Sequence, residues 1–266
     1  MESMNKAEIG IIGGSGFYGL LDKPENYFFE TQYGYPSGEM EVGEFAGRRV
    51  VFLPRHGKLH QLSPSDVNYR ANVSALKKLG VIRILSLSTV GSLKEHIKPS
   101  DIVFVDQFVD RTTQRKQTFY SKDSYTDKVC HISMAEPTCE ELRDLLIKSS
   151  SNCTNVHNKG IYVCIEGPRF STKAESNLFR FWGMDVVGMT LVPECILARE
   201  LEICYAPICT VTDYDCWKDK PVNADEVKTV MKKNVETVKK LLLKIIPMIP
   251  EKRTCKCKDA LEGALI

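Results

Sequence analysis

Short, uniformly apolar runs recur along the chain with longer polar or amphipathic stretches between them. They are Ile9–Ile12, Val50–Leu53, Ile82–Leu87, Ile102–Val105, Ile161–Ile165, Val186–Met189 and Ile203–Val211. Runs that do not alternate with polar residues predict strands buried on both faces, as in a sheet covered by helices. Two intervening stretches carry a helical pattern with clear ends. One runs from Pro64 to Leu79, with Ser63 as N-cap and Gly80 as stop, and the other from Ala224 to Ile246, stopped by Pro247. Shorter helices are predicted from about Thr138 to Ser149 and from Pro193 to Leu201. The pattern predicts an α/β fold in a single domain over residues 1–266. Residues 250–266 form a basic tail, too short for a domain and expected to reach a neighbouring subunit.

Composition narrows the function classes. Of the 266 residues 43% are hydrophobic, enough for one well-buried core. The 36 basic and 34 acidic residues are spread along the chain and leave a formal charge of +2. Nothing forms the basic stripe of a nucleic-acid or membrane-surface binder, so neither partner is expected. The stretch Met1 to Glu8 is polar and lacks the apolar centre of a signal peptide, and no apolar run reaches the length of a membrane span. The expected location is the cytoplasm.

Eight of the ten cysteines are scattered among hydrophobic segments, where a thiol serves as a small apolar group. The other two form Cys255-Lys256-Cys257, a spacing open to a strained disulfide, a chelate or neither. A zinc site needs two further ligands, and no CxxC or Cys/His pair supplies them. The expectation is no metal, and thiols that are inert or redox-sensitive.

The candidate chemistry gathers where apolar runs end. The first run enters Gly13-Gly14-Ser15-Gly16-Phe17-Tyr18-Gly19, formally GxGxxG. The next stretch, from Leu21 to Tyr27, is not the amphipathic helix a dinucleotide site requires. The turn can hold one phosphate on its N–H groups, or nothing. Pro54-Arg55-His56-Gly57-Lys58-Leu59-His60 comes after the second run, and Arg55 is suited to a bidentate grip on phosphate. His56 and His60 invite a metal, but Gly57 between them and the missing glutamate of HExxH argue against it. Ser88-Thr89-Val90-Gly91 and Gly188-Met189-Thr190 repeat the theme of hydroxyls and glycine at a run's end. Together these groups suit one small dianion better than a polyphosphate, although each alone is an ordinary turn.

After the last run comes Thr212-Asp213-Tyr214-Asp215. In an extended segment the two carboxylates share one side, and their mutual repulsion raises one pKa into the range of a general acid. A glycosidase pair, half a metal site and a capping turn fit the same residues.

Taken in order, Gly13-Gly14-Ser15-Gly16, Pro54-Arg55-His56-Gly57, Gly91-Ser92-Leu93, Ile165-Glu166-Gly167-Pro168-Arg169-Phe170-Ser171-Thr172, Met189-Thr190 and Thr212-Asp213-Tyr214-Asp215 resemble the methylthioadenosine phosphorylases. These are a branch of the trimeric purine nucleoside phosphorylase superfamily, and the resemblance runs from about Ile9 to Lys244. It implies a mixed twisted sheet flanked by helices, and a homotrimer or dimer of trimers. The implied activity is phosphorolysis of 5′-methylthioadenosine to adenine and 5-methylthioribose 1-phosphate, with adenosine as a further substrate. Inorganic phosphate is the co-substrate, and no metal or organic cofactor is implied.

By the same resemblance Ser15, Arg55, His56, Ser88, Thr89 and Thr190 hold phosphate, and Met189 lies against the ribose. Phe170 stacks on the purine, Ser171 and Asp213 face its edge, and Asp215 supports Asp213. Val227 and Ala224, with His131 and Leu261 from a neighbouring subunit, surround the 5′ group. Cys255-Lys256-Cys257 is similar to a tail motif of archaeal relatives that use it as a disulfide, and Cys139 and Cys204 fall where thermophilic relatives carry paired cysteines. Ala224, where some members carry valine, and a loop from Lys218 to Pro221 shorter than in the animal enzymes leave the 5′ selectivity open, while Gly188 and Thr89 depart from the animal pattern towards the microbial one. The competing readings are a phosphorylase for 6-oxopurine nucleosides such as inosine, guanosine or methylthioinosine, a nucleoside hydrolase, and a purine-binding protein without activity.

Overall fold

A computed structural model describes residues 7–14, 16–124, 127–151, 155–218 and 224–266. The chain folds as β1 (Ile9–Gly13), β2 (Asp22–Tyr27), β3 (Met40–Phe45), β4 (Arg48–Pro54), α1 (Tyr69–Lys78), β5 (Arg83–Ser92), β6 (Ile102–Val103) and β7 (Gln107–Arg111). It continues through α2 (Glu140–Ser149), β8 (Val156–His157), β9 (Ile161–Ile165), α3 (Lys173–Phe181), β10 (Val186–Gly188), α4 (Leu191–Glu200), β11 (Cys204–Asp213) and α5 (Ala224–Met248).

All of these strands join one mixed sheet, with the order β2-β3-β4-β1-β5-β10-β9-β7 along its main path. Period-two alternation sorts the buried strands between two cores. Ile9, Ile11, Phe52, Leu85 and Leu87 face the core shared with α2 and α5. Ile12, Val51, Leu53 and Ile84 face the core shared with α1 and α4. The apolar runs are continuous because each strand serves both layers.

Strand β5 positions the site. It pairs with β11 in parallel from Arg83 to Gly91. On the opposite edge its first half pairs with β1 and its last two residues with β10. Residues 87–90 lie in the fork between the ends of β1 and β10, and the main cavity opens there.

Several elements differ from the sequence expectation. Helix α1 begins at Tyr69, because the Asn68 side chain accepts from Ala71 N–H at 3.1 Å and so caps it. Ser63 donates instead to Asp66, at 2.6 Å. Pro247 lies inside the last turn of α5, where its ring accepts the helical φ and only one N–H is lost. The strands β2 and β7 are exposed or half-exposed and polar in sequence, and β3, though buried from Met40 to Gly43, is interrupted by Glu41 and Gly43, so all three lack the apolar signal of the others. Helix α3 was also unforeseen; its sequence signal is the capping box of Thr172 and Glu175.

The tail beyond residue 250 is tied to its own chain. Val129 and Ile266 exchange two backbone hydrogen bonds of 3.0 Å, and His131 N–H donates to the Ala264 carbonyl at 2.8 Å.

Candidate active site

A cavity of about 810 Å³ is lined by the ends of β4, β5, β10 and β11, the loop after β9 and the first turns of α5. Volumes of this order hold small-molecule ligands. The structure brings Arg55, His56, Ser88, Thr89, Thr190, Met189, Phe170, Ser171, Asp213, Asp215 and Val227 together along its walls, with Gly14. Ser15 and the side chain of Ala224 lie outside the described residues. His131 and Leu261 do not line it; they belong to the patch where the tail pairs with residues 129–131.

At one end sits Arg55, closing β4. Its fork does not point at the cavity. Nε and Nη2 grip both oxygens of Glu194 at 2.7 and 2.9 Å, Nη2 also reaches Ser86 Oγ at 2.7 Å, and Nη1 donates to the Leu87 carbonyl at 2.8 Å. Four of the five guanidinium N–H groups are thus engaged, and a single Nη1 donor remains without a partner among the described residues. The expected bidentate phosphate grip is corrected accordingly: the fork serves a buried carboxylate. Glu194, on α4, is fully buried. Burial opposes the charge on Arg55, but Glu194 outweighs it and holds the guanidinium above its ordinary pKa. Tyr205 Oη completes the network, 2.8 Å from Ser86 Oγ and 2.9 Å from Glu194. Sequence reading missed Glu194, Ser86 and Tyr205, since nothing local marks a partner 139 residues from Arg55.

His56 Nδ1 lies 2.9 Å from the Leu62 carbonyl, so Nδ1 carries the proton and Nε2 is left as an acceptor. Burial, reinforced by Arg55, pushes its pKa down to about 4. It is neutral at pH 7. The His60 ring packs 4.8 Å away, centroid to centroid.

Beside them Ser88 Oγ lies 3.3 Å from Thr190 Oγ1 and 3.5 Å from Tyr162 Oη. Thr190 stands just before α4 and makes no side-chain capping bond among the described residues; the backbone kinks at Val192 (φ −101°, ψ 130°) before the regular helix begins. Tyr162 fits only because residue 188 is glycine: a Cβ there would lie 2.0 Å from its Oη.

The opposite end is acidic and poorly solvated. Strand β11 bulges between Val211 and Asp213, setting Asp213 against Gly91, whose missing Cβ would lie 2.9 Å from Asp213 Oδ1. Asp213 Oδ2 accepts from Thr212 Oγ1 at 2.7 Å and Oδ1 from Asp215 N–H at 2.8 Å. Each oxygen keeps a further lone-pair site. Asp215 does not share the strand's side with Asp213; it follows in a left-handed turn, φ +50°, and is buried. Both pKa values are raised, and burial is the first cause of each. Repulsion from Asp215 contributes least to Asp213, which corrects the expected like-charge mechanism. The hydroxyls of Ser176 and Ser171 oppose the shift at Asp215.

Phe170 presents a ring 44% exposed at the cavity wall. Its loop is fixed by Arg115, another residue sequence reading did not single out. Arg115 donates to the carbonyls of Glu166 and Met189, each at 2.6 Å, and to Glu166 Oε1 at 3.2 Å. Lys228 and Met231 of α5 extend the wall beyond Val227.

The arrangement couples an anion-compatible end, made of hydroxyls and one arginine N–H, to a carboxyl whose pKa burial raises. An aromatic face lies along the same cavity. That is the equipment for displacing a leaving group by an oxyanion with acid assistance.

Comparison with known proteins places the chain. The profile of the Phosphorylase superfamily matches residues 8–247. The S-methyl-5'-thioadenosine phosphorylase of Pyrococcus abyssi is 56% identical over 260 residues, covering 97% of this chain and 99% of the relative. That of Thermofilum pendens is 54% identical over 266 residues, covering 99% and 100%. Among solved structures, a methylthioadenosine phosphorylase sourced from an antarctic soil metagenomic library is similar with a TM-score of 0.92 at 44% identity, covering 98% of this chain and 93% of that one. The methylthioadenosine phosphorylase from Schistosoma mansoni in complex with adenine has a TM-score of 0.91 at 41% identity, covering 97% of each. The chain belongs to the phosphorylase superfamily and, within it, to the S-methyl-5'-thioadenosine phosphorylases.

Proposed function

We propose that this protein cleaves 5′-methylthioadenosine with inorganic phosphate, giving adenine and 5-methylthioribose 1-phosphate, and that it also accepts adenosine. One observation carries the reading: Arg55, Ser88 and Thr190 line the same cavity as Asp213, which packs against Gly91, three residues along β5 from Ser88.

In this scheme phosphate sits against Ser88, Thr89, Thr190 and the free Arg55 N–H, with His56 Nε2 accepting the P–OH hydrogen bond. The C1′–N9 bond loosens while a phosphate oxygen approaches C1′ from the opposite face. Protonated Asp213 gives its proton to N7 as the electron pair of the broken bond moves into the purine, and its other oxygen accepts from the 6-amino group. The P–OH proton leaves through His56 or solvent, and Asp213 regains a proton when adenine departs. Met189 lies under the ribose, Phe170 stacks on the base, and Asp215 supports the turn that holds Asp213. A 6-oxopurine offers an acceptor where the amine donated, so it leaves a buried group unpaired and is discriminated against. No metal or organic cofactor enters this chemistry.

The 5′ substituent meets Val227 and Met231 of α5. His131 and Leu261 join it from a neighbouring subunit in a homotrimer or dimer of trimers. What supports this assembly is that both residues lie away from their own cavity, on a patch where Val129 and Ile266 are 54% and 81% exposed. Among the described residues no helix is long and apolar enough to cross a membrane.

The test is a spectrophotometric assay of methylthioadenosine, adenosine and inosine with and without phosphate. Strict dependence on phosphate with preference for the two aminopurines is expected. Undiminished cleavage without phosphate would make the protein a hydrolase, and inosine turnover equal to that of methylthioadenosine would remove the role given to Asp213.

A further inference from the structure

Four cysteines from three distant stretches converge on the side of the sheet covered by α2 and α5, away from the cavity. Cys139 is the N-cap of α2, Cys204 opens β11, and Cys255 and Cys257 lie in the tail. Their sulfurs all lie within 4.8 Å of one another, with Cys204 and Cys255 at 3.3 Å. Cys139, Cys204 and Cys257 are buried and Cys255 half-buried. The two ligands whose absence argued against a metal in the sequence are therefore present in space.

We propose that Cys139, Cys204, Cys255 and Cys257 bind one Zn²⁺ as a tetrahedral four-thiolate site that fastens the C-terminal tail to the body of the domain. A tetrahedron with Zn–S bonds of about 2.3 Å has S···S edges of about 3.8 Å. The cluster matches that pattern, four mutually close sulfurs, after a contraction of no more than about 1 Å. Two disulfides would instead demand two pairs at about 2.05 Å, each pair independent of the other.

The surroundings suit thiolates. Cys139 stands at the amide end of α2, where a helix N-terminus favours negative sulfur. Arg199 Nη1 lies 3.9 Å from Cys257 Sγ, and its Nε is buried without an acceptor among the described residues, an unused positive group beside a site that carries net negative charge once filled. Glu141 Oε2 receives the N–H groups of Thr254 and Cys255, both at 2.9 Å, and so presents the Cys255-Lys256-Cys257 segment in a fixed conformation. Binding is proton exchange without redox change: each thiol that ligates releases its proton to solvent, and four Zn–S bonds form.

The experiment uses the full chain, purified with reductant and without chelator. Elemental analysis is expected to give one zinc per chain. Replacement by Co²⁺ is expected to give the intense visible bands and sulfur-to-metal charge transfer of a tetrahedral thiolate site. Competition with a chromogenic chelator should place the zinc dissociation constant at about 10⁻⁸ M or tighter. Cys255→Ser and Cys257→Ser, which lie outside the sheet, should each lose the cobalt spectrum and expose the tail to proteolysis, while Cys209→Ser keeps both. Reduced protein that binds neither Zn²⁺ nor Co²⁺ would overturn the proposal. So would an intact mass lighter by four hydrogen atoms in protein isolated under reducing conditions, which would assign the same sulfurs to two disulfides.

Discussion

Arg55 and Glu194 form a fully buried bidentate ion pair, with contacts of 2.7 and 2.9 Å, at the wall of the cavity. Arg55, which looks like a ligand binder in the sequence, is here first bound to a carboxylate of the protein itself. The pair fixes the one remaining Arg55 donor in direction, and it ties the end of β4 to α4, which follows Thr190 in the chain.

Removing one partner leaves an uncompensated charge in the interior. Glu194→Ala is expected to destabilise the fold by about 3–5 kcal/mol, read from urea denaturation at pH 7. Glu194→Gln, which keeps the shape and part of the hydrogen bonding, should cost less. It should also raise the KM for phosphate, because the arginine then swings free. An unchanged phosphate KM in the Gln variant would mean that the pair is structural only.

Asp213 gives a prediction with an unusual sign. Burial raises its folded pKa above the ordinary carboxyl value of 3.8, so the folded state binds its proton more tightly than the unfolded state does. Its contribution to stability is fully present below that ordinary value and is lost as pH rises through the raised one. Asp213→Asn should therefore be at least as stable as the parent at pH 7, and its stability should decline less above pH 4. Its turnover should fall roughly 10²–10⁴-fold, because the amide cannot give up a proton to N7. Thermal denaturation across pH, set beside kcat, separates the two effects, and a variant both stable and active would refute the acid role.

His56 behaves in the opposite sense. Its folded pKa of about 4 lies below the ordinary 6.5, so the unfolded chain takes up a proton between those values that the folded chain refuses. Stability is fully present above about pH 6.5 and is lost as pH falls towards 4. The shift corresponds to at most about 3 kcal/mol. In His56→Asn the fall in stability between pH 7 and pH 4.5 should shrink by a comparable amount, as chemical denaturation at the two pH values would show. A parent protein with no greater acid sensitivity than the variant would contradict the buried neutral imidazole.

How much of this was readable beforehand depends on where each signal resides. The strand-end clusters at Arg55, Ser88, Thr190 and Asp213 were legible because a strand buried on both faces is continuously apolar, so its polar end stands out. The strands β2 and β3 carry Asp22-Lys23-Pro24-Glu25 and Glu41, and their pairing rests on backbone hydrogen bonds that no side-chain pattern announces. Glu194 and Tyr205 sit within apolar segments, where a lone polar residue has no local partner to identify its task. Asp215 was placed correctly beside Asp213 for an incorrect reason: strand alternation was assumed, whereas a left-handed turn brings it back. The four cysteines are separated by up to 118 positions, from Cys139 to Cys257, so their meeting is a property of the topology alone.

The two glycines at the fork of the sheet make the division of labour in the cavity testable. At Gly91 a Cβ would lie 2.9 Å from Asp213 Oδ1 and 3.3 Å from Asp215 N, whereas at Gly188 it would lie 2.0 Å from Tyr162 Oη. Gly91→Ala therefore pushes on the acid, and Gly188→Ala displaces the tyrosine that packs against Ser88 and Thr190. Overpacking of this kind costs about 1–3 kcal/mol, so both variants should fold with a lowered melting temperature. Their kinetics should diverge. Gly91→Ala is expected to lower kcat with methylthioadenosine by an order of magnitude or more, roughly what a misplaced acid loses, with little change in the phosphate KM. Gly188→Ala should raise the phosphate KM and leave the alkaline limb of the pH–rate profile, set by Asp213, where it was. If the two substitutions changed the same parameter, the phosphate end and the base end would not be the separate devices that the geometry of β5, β10 and β11 describes.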